Sequence, residues 1–211
     1  MMLPRRAGLA LLAIALPVLL APPLRHRLEA SMALHMLVEF PMLFATGWAA
    51  ASLWPRAANA GSRWDVEGLS SALLILITTS FWMLPVALDL ALLSPWIALA
   101  KALNWLAAGA VLAHAGRRWR RELRLFVLFN LAWMMATAGL LYRESESRLC
   151  VNYLVDQQAW AGGGLLGLAL LLGALAVRLA IDEPADALDN STDPEPVPPA
   201  RHPARGDNAA A

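Results

Sequence analysis

The chain has 211 residues, of which 59% are hydrophobic and 16% charged, with a formal net charge of +1 and a mean hydropathy of +0.53. Too little polar surface remains to clothe a soluble globule of this length, so lipid is the expected solvent for most of it. The single cysteine, Cys150, excludes an intramolecular disulfide framework and every multi-cysteine zinc or iron-sulfur signature.

A helix needs about 20 apolar residues to cross a hydrocarbon core of about 30 Å. Six stretches meet or approach that length: Ala7 to Leu24, Ala30 to Trp54, Leu69 to Leu93, Pro95 to Ala115, Leu123 to Tyr142 and Trp160 to Ile181. They are too long and too continuously apolar for barrel strands, which alternate every second residue. The expected fold is an all-α polytopic membrane helix bundle over residues 1–181. The first stretch has an alternative reading as a signal peptide, with Arg5 and Arg6 before an apolar core ending near Ala21. Pro22 and Pro23 occupy the place of a small-residue cleavage pattern, so the stretch is kept as a helix.

The second stretch contains SMALHMLVEFPMLFATG, Ser31 to Gly47. At about 100° per residue, Met32, His35, Met36 and Glu39 fall on one helical stripe. An ionisable group in mid-membrane costs about 2.5 to 3.5 kcal/mol on insertion scales and commonly marks a functional site. Thioether and imidazole donors together suit Cu(I), which makes Met32, His35 and Met36 candidate copper ligands. The open alternative is ordinary methionine packing, with His35 and Glu39 hydrogen-bonded at i, i+4.

In the third stretch Trp82, Pro85 and Asp89 are expected to share a face, and Pro85 to bend the helix and expose the Phe81 carbonyl. Lys101 and Asn104 enter the fourth stretch from the same side. Asp89 and Lys101 form a candidate ion pair, either fastening the bundle or marking the path of a small transporter. His114 and the run Gly116 to Arg124, GRRWRRELR, lie at the opposite end. The loop before the last helix, RLCVNYLVDQQAWAGGGLLG, gathers Cys150, Asn152, Tyr153, Asp156, Gln157 and Gln158. Asp156 is the expected N-cap, and Gly162, Gly163 and Gly164 permit close helix packing. Residues 182–211, rich in Pro, Asp and Ala, are expected to form a disordered cytoplasmic tail.

Basic residues accumulate in cytoplasmic loops. An N-in, C-in arrangement places ten arginines inside (5, 6, 56, 63, 117, 118, 120, 121, 124 and 178) and four outside (25, 27, 143 and 148). His35 and the rest of its stripe, Trp82, Pro85, Asp89, Lys101 and Asn104 then lie on the outer side and suggest an outward-opening polar pocket, with the loop of Cys150 at the same water boundary. Topology and anionic lipid account for the arginine run, and no nucleic-acid partner follows from it.

The ordered motifs resemble the integral-membrane CtaG-like cytochrome c oxidase assembly proteins. The matching residues are Met32-Ala33-Leu34-His35-Met36 followed by Pro41 and Gly47, and Asp156-Gln157-Gln158-Ala159-Trp160-Ala161-Gly162. Trp82-Met83-Leu84-Pro85 and Asp89-Leu90-Ala91-Leu92 fit more loosely. The resemblance spans about Arg6 to Gly173. It implies help in maturing a copper-containing terminal oxidase at the outer side of a bacterial inner membrane, with oxidase subunits or other copper-assembly proteins as partners. His35, Met32, Met36, Asp156 and Gln157 carry over. Histidines that the family places beside the third-helix proline and on the fourth helix are replaced here by Met83 and the Lys101 to Asn104 region. No haem is expected, because His35 and His114 lie at opposite membrane depths. The sequence has no nucleophile with an adjacent base, no phosphate loop and no HExxH helix, so a non-enzymatic role is expected.

Overall fold

The computed structural model describes residues 8–10, 12, 21–53, 65–145, 149–150 and 152–182. Most of the first predicted segment, nearly all of the predicted tail and the loop carrying Arg56 and Arg63 lie outside the described residues. The described residues are all-helical: α1 (Pro22–Glu29), α2 (Met32–Leu53), α3 (Leu69–Trp82), α4 (Pro85–Leu93), α5 (Pro95–Ala115), α6 (Arg121–Glu144) and α7 (Val155–Ile181). Helices α2, α5, α6 and α7 are each long and apolar enough to cross a membrane; α3 and α4 together count as a fifth span only if the bent pair is one element. The chain is an all-α membrane bundle. The predicted sixth crossing is the segment outside the described residues.

The helix boundaries follow local chemistry. Pro85 and Pro95 open α4 and α5, where proline loses no helical hydrogen bond and its φ is already helical. The residues before them, Leu84 and Ser94, are extended, as a following proline ring demands. Pro85 thus ends α3 rather than merely bending it, and α3 and α4 meet at 75°. The Phe81 carbonyl, expected to be exposed, accepts instead from Leu84 N–H in a tightened last turn. The Met83 carbonyl, within the break, accepts from the Tyr142 hydroxyl at 2.8 Å. This break also puts Trp82 on a different helix from Pro85 and Asp89, so the three do not share a face.

The helices alternate between two ends of the bundle. One end gathers the start of α2, the α3/α4 break, the start of α5 and the start of α7. The other is rich in arginine. There Arg121 donates to the carbonyls of Leu179 and Ala180, satisfying the last turn of α7. Trp119 Nε1 donates to Ser71 Oγ, which donates to the Gly68 carbonyl. Gly68 sits at φ 89°, and Trp119 fills the space a side chain would need.

Packing is inside out relative to a soluble protein. Large apolar residues face outward, Trp133 at 75% and Leu170 at 76% exposure, whereas the contacts between helices use small residues. In lipid there is no hydrophobic drive between helices, and close backbone approach supplies the attraction. Two pairs result. Gly47 of α2 lies on the Leu106 carbonyl and Gly109 of α5 on the Phe44 carbonyl. Gly139 of α6 and Gly162 of α7 face each other, with a Cβ on Gly162 only 2.6 Å from the Gly139 oxygen. Of the predicted glycine run, Gly162 and Gly164 are packed, but Gly163 faces open space.

Gly47→Ala should therefore cost about 1 to 3 kcal/mol through overpacking. Gly163→Ala should be neutral or stabilising by up to about 1 kcal/mol, since it meets nothing and improves helix propensity. Thermal unfolding of the two variants in the same detergent checks the contrast; equal melting temperatures would contradict the packing described.

Candidate functional site

The predicted stripe on α2 is buried along its whole length: Met32, His35, Met36 and Glu39 are each no more than 2% exposed. His35–Glu39 winds as a single π turn, with Phe40 N–H reaching the His35 carbonyl. Such one-turn insertions in α-helices recur at functional sites. His35 and Glu39 both approach Lys101 of α5, itself 1% exposed. Glu29, the last residue of α1, closes the cluster from above.

Lys101 is the centre. Its ammonium lies 2.7 Å from Glu39 Oε1, 3.3 Å from Glu29 Oε1 and 2.9 Å from His35 Nε2. Three acceptors match the three N–H donors of a lysine. On the other side of the ring, His35 Nδ1 is 2.8 Å from the Tyr153 hydroxyl, which donates to the Glu29 carbonyl at 2.9 Å. A hydroxyl that donates its only proton to a carbonyl must accept from the imidazole. The network therefore assigns the proton to Nδ1 and leaves the Nε2 lone pair to Lys101.

The expected His35–Glu39 hydrogen bond is corrected by this arrangement. His35 Nε2 and Glu39 Oε2 are 3.8 Å apart, and Lys101 bridges the two side chains. The expected Asp89–Lys101 pair is corrected as well. Lys101 is joined to Glu29 and Glu39, whereas Asp89 accepts from the backbone and side-chain nitrogens of Asn152 at 3.3 and 3.0 Å. A buried ammonium is held best by carboxylates it can reach without water between them. Glu29 was not singled out from sequence, since it falls in a polar junction, RHRLEA, between two apolar stretches.

The loop before α7 forms the wall of the site. Gln158, fully buried, accepts through Oε1 from Leu149 N–H at 2.8 Å and Cys150 N–H at 3.3 Å. Cys150 is buried against the Pro85 carbonyl, Sγ to oxygen 4.0 Å. Burial, and secondarily the nearby Asp89 carboxylate, push the Cys150 thiol up to about 12. That shift favours the protonated thiol near neutrality. Burial together with the surrounding acids likewise raises the Tyr153 phenol, which remains a neutral hydroxyl. Asp156 does not cap α7. The helix starts at Val155, earlier than the predicted Trp160, so Leu154 is the cap residue, without a side-chain bond, and Asp156 is exposed within the first turn. Gln157 is half-buried; Gln158 does the work expected of its neighbours.

The candidate copper ligands divide in the same way. Both nitrogens of His35 are engaged, and a cation on Nε2 would have to displace an ammonium and remain beside it. Met32 and Met36 are packed in the apolar core with Phe40, Trp105 and Leu165. Among the described residues no group of three or more His, Cys, Asp or Glu side chains is placed to hold a metal ion. In this arrangement His35 has no lone pair free for a metal, since Lys101 takes Nε2 and Tyr153 takes Nδ1.

Beneath the cluster, Phe40 meets His35 edge-on at 5.1 Å and stacks on Trp105 at 4.8 Å. The aromatic pair floors the polar site and excludes water from below. No family model, curated protein or solved structure matches the chain.

Replacing Lys101 with methionine leaves two buried carboxylates without their shared cation. That loss should destabilise the bundle by about 3 to 5 kcal/mol. Unfolding of Lys101→Met and Asn104→Leu in detergent checks this, because Asn104 is exposed on the same helix; equal stabilities would contradict the role of Lys101.

Proposed function

We propose that this chain is a membrane-embedded assembly factor for cytochrome c oxidase in a bacterial inner membrane, acting through a rigid polar platform at the outer end of its bundle. The observation that carries the reading is convergence. The separate stretches on which the CtaG-like resemblance rests meet at one end of the bundle. His35 of the MALHM stretch bonds Tyr153, Gln158 of the DQQ turn holds the same loop, and Cys150 of that loop lies on Pro85. The arginine asymmetry supports placing this end outside.

The reading is narrower than copper delivery. His35 serves as a strut between Lys101 and Tyr153, so the platform acts on its client by protein contact and not by holding metal at this imidazole. A small transporter using Asp89 and Lys101 loses its motivating pair, since those residues have separate partners. The half-exposed Asp89, Gln157 and the exposed Asp156 supply the polar surface that a partner subunit meets.

Cells lacking the protein should lose most oxidase activity and the copper content of the oxidase. Asp156→Ala/Gln157→Ala should reproduce much of that defect while the protein accumulates normally in the membrane. Oxidase activity and copper content unchanged in the deletion strain would overturn the proposal. Cu(I) titration of the purified protein should give the same binding with and without His35→Gln; a site lost on that substitution would overturn the strut role.

A further inference from the structure

The two glycine-packed pairs do not stay together. Helix α7 meets the α2/α5 pair through Met32–Leu34 and the π turn, near the polar site. Farther along, α2/α5 and α6/α7 separate, and a cavity of about 800 Å³ lies between them, with Ile75 and Thr79 of α3 as a further wall. Its size lies within the range of about 300 to 1,000 Å³ found for small-molecule sites. The Phe40–Trp105 stack closes its deep end, and the walls are leucine, isoleucine, valine and methionine. Water has few partners along such walls, so a dry apolar filling is favoured.

The mouth has the opposite character. Arg117 and Arg124 line it, both exposed. The ion pairs formed by arginine among the described residues are Arg120 with Glu67 and Arg178 with Asp182. Arg117 and Arg124 therefore carry no carboxylate partner there, and Arg124 reaches only the Arg117 carbonyl at 3.4 Å. Trp48 and Trp119 flank the same opening. Two unneutralised guanidiniums beside an acyl-sized apolar cavity complement a molecule with an anionic head and a hydrocarbon tail. Guanidinium pairs phosphate bidentately, and basic pockets between membrane helices take anionic lipid head groups.

We infer that the cavity is an anionic phospholipid site, with one acyl chain between the helix pairs and its phosphate on Arg117 and Arg124. The site is independent of the proposed assembly role, which uses the other end of the bundle. Occupancy would fill the space between the pairs and hold them at fixed separation below the polar cluster.

Native mass spectrometry of the delipidated full-length protein in detergent tests this with dioleoyl phosphatidylglycerol, dioleoyl phosphatidylcholine and oleate as probes. One phosphatidylglycerol should be retained per chain, at least tenfold more tightly than phosphatidylcholine or oleate. Arg117→Gln/Arg124→Gln should abolish that preference, and Leu131→Trp, which fills the cavity while sparing both arginines, should reduce retention of all three. Arg118→Gln should change neither result and controls for loss of charge alone. Equal retention of phosphatidylglycerol and phosphatidylcholine by the native protein would overturn the phosphate site. Preference for oleate would overturn the phospholipid assignment. Retention unaffected by Leu131→Trp would overturn the cavity as the seat of the chain. Circular dichroism establishes that each variant is folded, and Arg124→Gln alone, expected to weaken the preference at least threefold, replaces the double variant if that one is not.

Discussion

One ammonium group organises the polar end of this bundle. Lys101 enters from α5 and meets Glu39 of α2, Glu29 at the end of α1 and the imidazole of His35. In a low-dielectric setting a lone charge of either sign would be far too costly, and the hydrogen bonds must be nearly complete for the cluster to be tolerated. That requirement fixes several elements at once. Helix α1 must fold over the top to deliver Glu29, α2 must insert a π turn so that His35 and Glu39 both face α5, and the loop before α7 must place Tyr153 on Nδ1. The histidine is then an internal brace whose two nitrogens are committed to protein partners.

Away from that cluster the bundle is held by surfaces rather than charges. Glycines at positions 47, 109, 139 and 162 allow two helix pairs to touch backbone to backbone, while Trp96, Trp133, Trp160 and Leu170 face outward. Because α7 meets α2 near the polar cluster, while farther along α3 bridges α5 and α6 through Ala72, Ile75, Ala108 and Val127, space opens between the pairs. The polar cluster and the cavity are two consequences of the same arrangement, separated by the Phe40–Trp105 stack. A bilayer component that occupied the gap would stiffen the frame to which the cluster is attached.

Much of this was legible from residues alone, for identifiable reasons. The stripe of Met32, His35, Met36 and Glu39 is strictly periodic, and periodicity survives in the folded chain as a buried face. Pro95 to Ala115 is recovered residue for residue because a proline begins it and a glycine follows it. The spans α2, α5, α6 and α7 follow from long apolar runs, whose length the membrane itself dictates, whereas the single predicted stretch Leu69 to Leu93 is two helices. What could not be read was partnership. Lys101 has acids available from three elements, and spacing along the chain gives no hint that Glu29 and Glu39 win over Asp89. The Pro85 break was anticipated in place but not in degree, since a kink and a full 75° turn have the same sequence signature. Gln158 outranks Asp156 and Gln157 only because α7 begins at Val155, a boundary set by the loop and not by the apolar run.

The proton on His35 decides whether the imidazole can accept from Lys101 and donate to Tyr153 at once. Nitrogen-15 solid-state NMR of histidine-labelled protein in lipid at pH 7, with His35 identified by its loss in a His35→Gln sample, reads that proton directly. The account predicts a neutral ring protonated at Nδ1, with Nε2 showing the shift of an unprotonated nitrogen accepting from an ammonium. A ring protonated at Nε2, or at both nitrogens, would contradict it and would leave Lys101 to the two carboxylates alone.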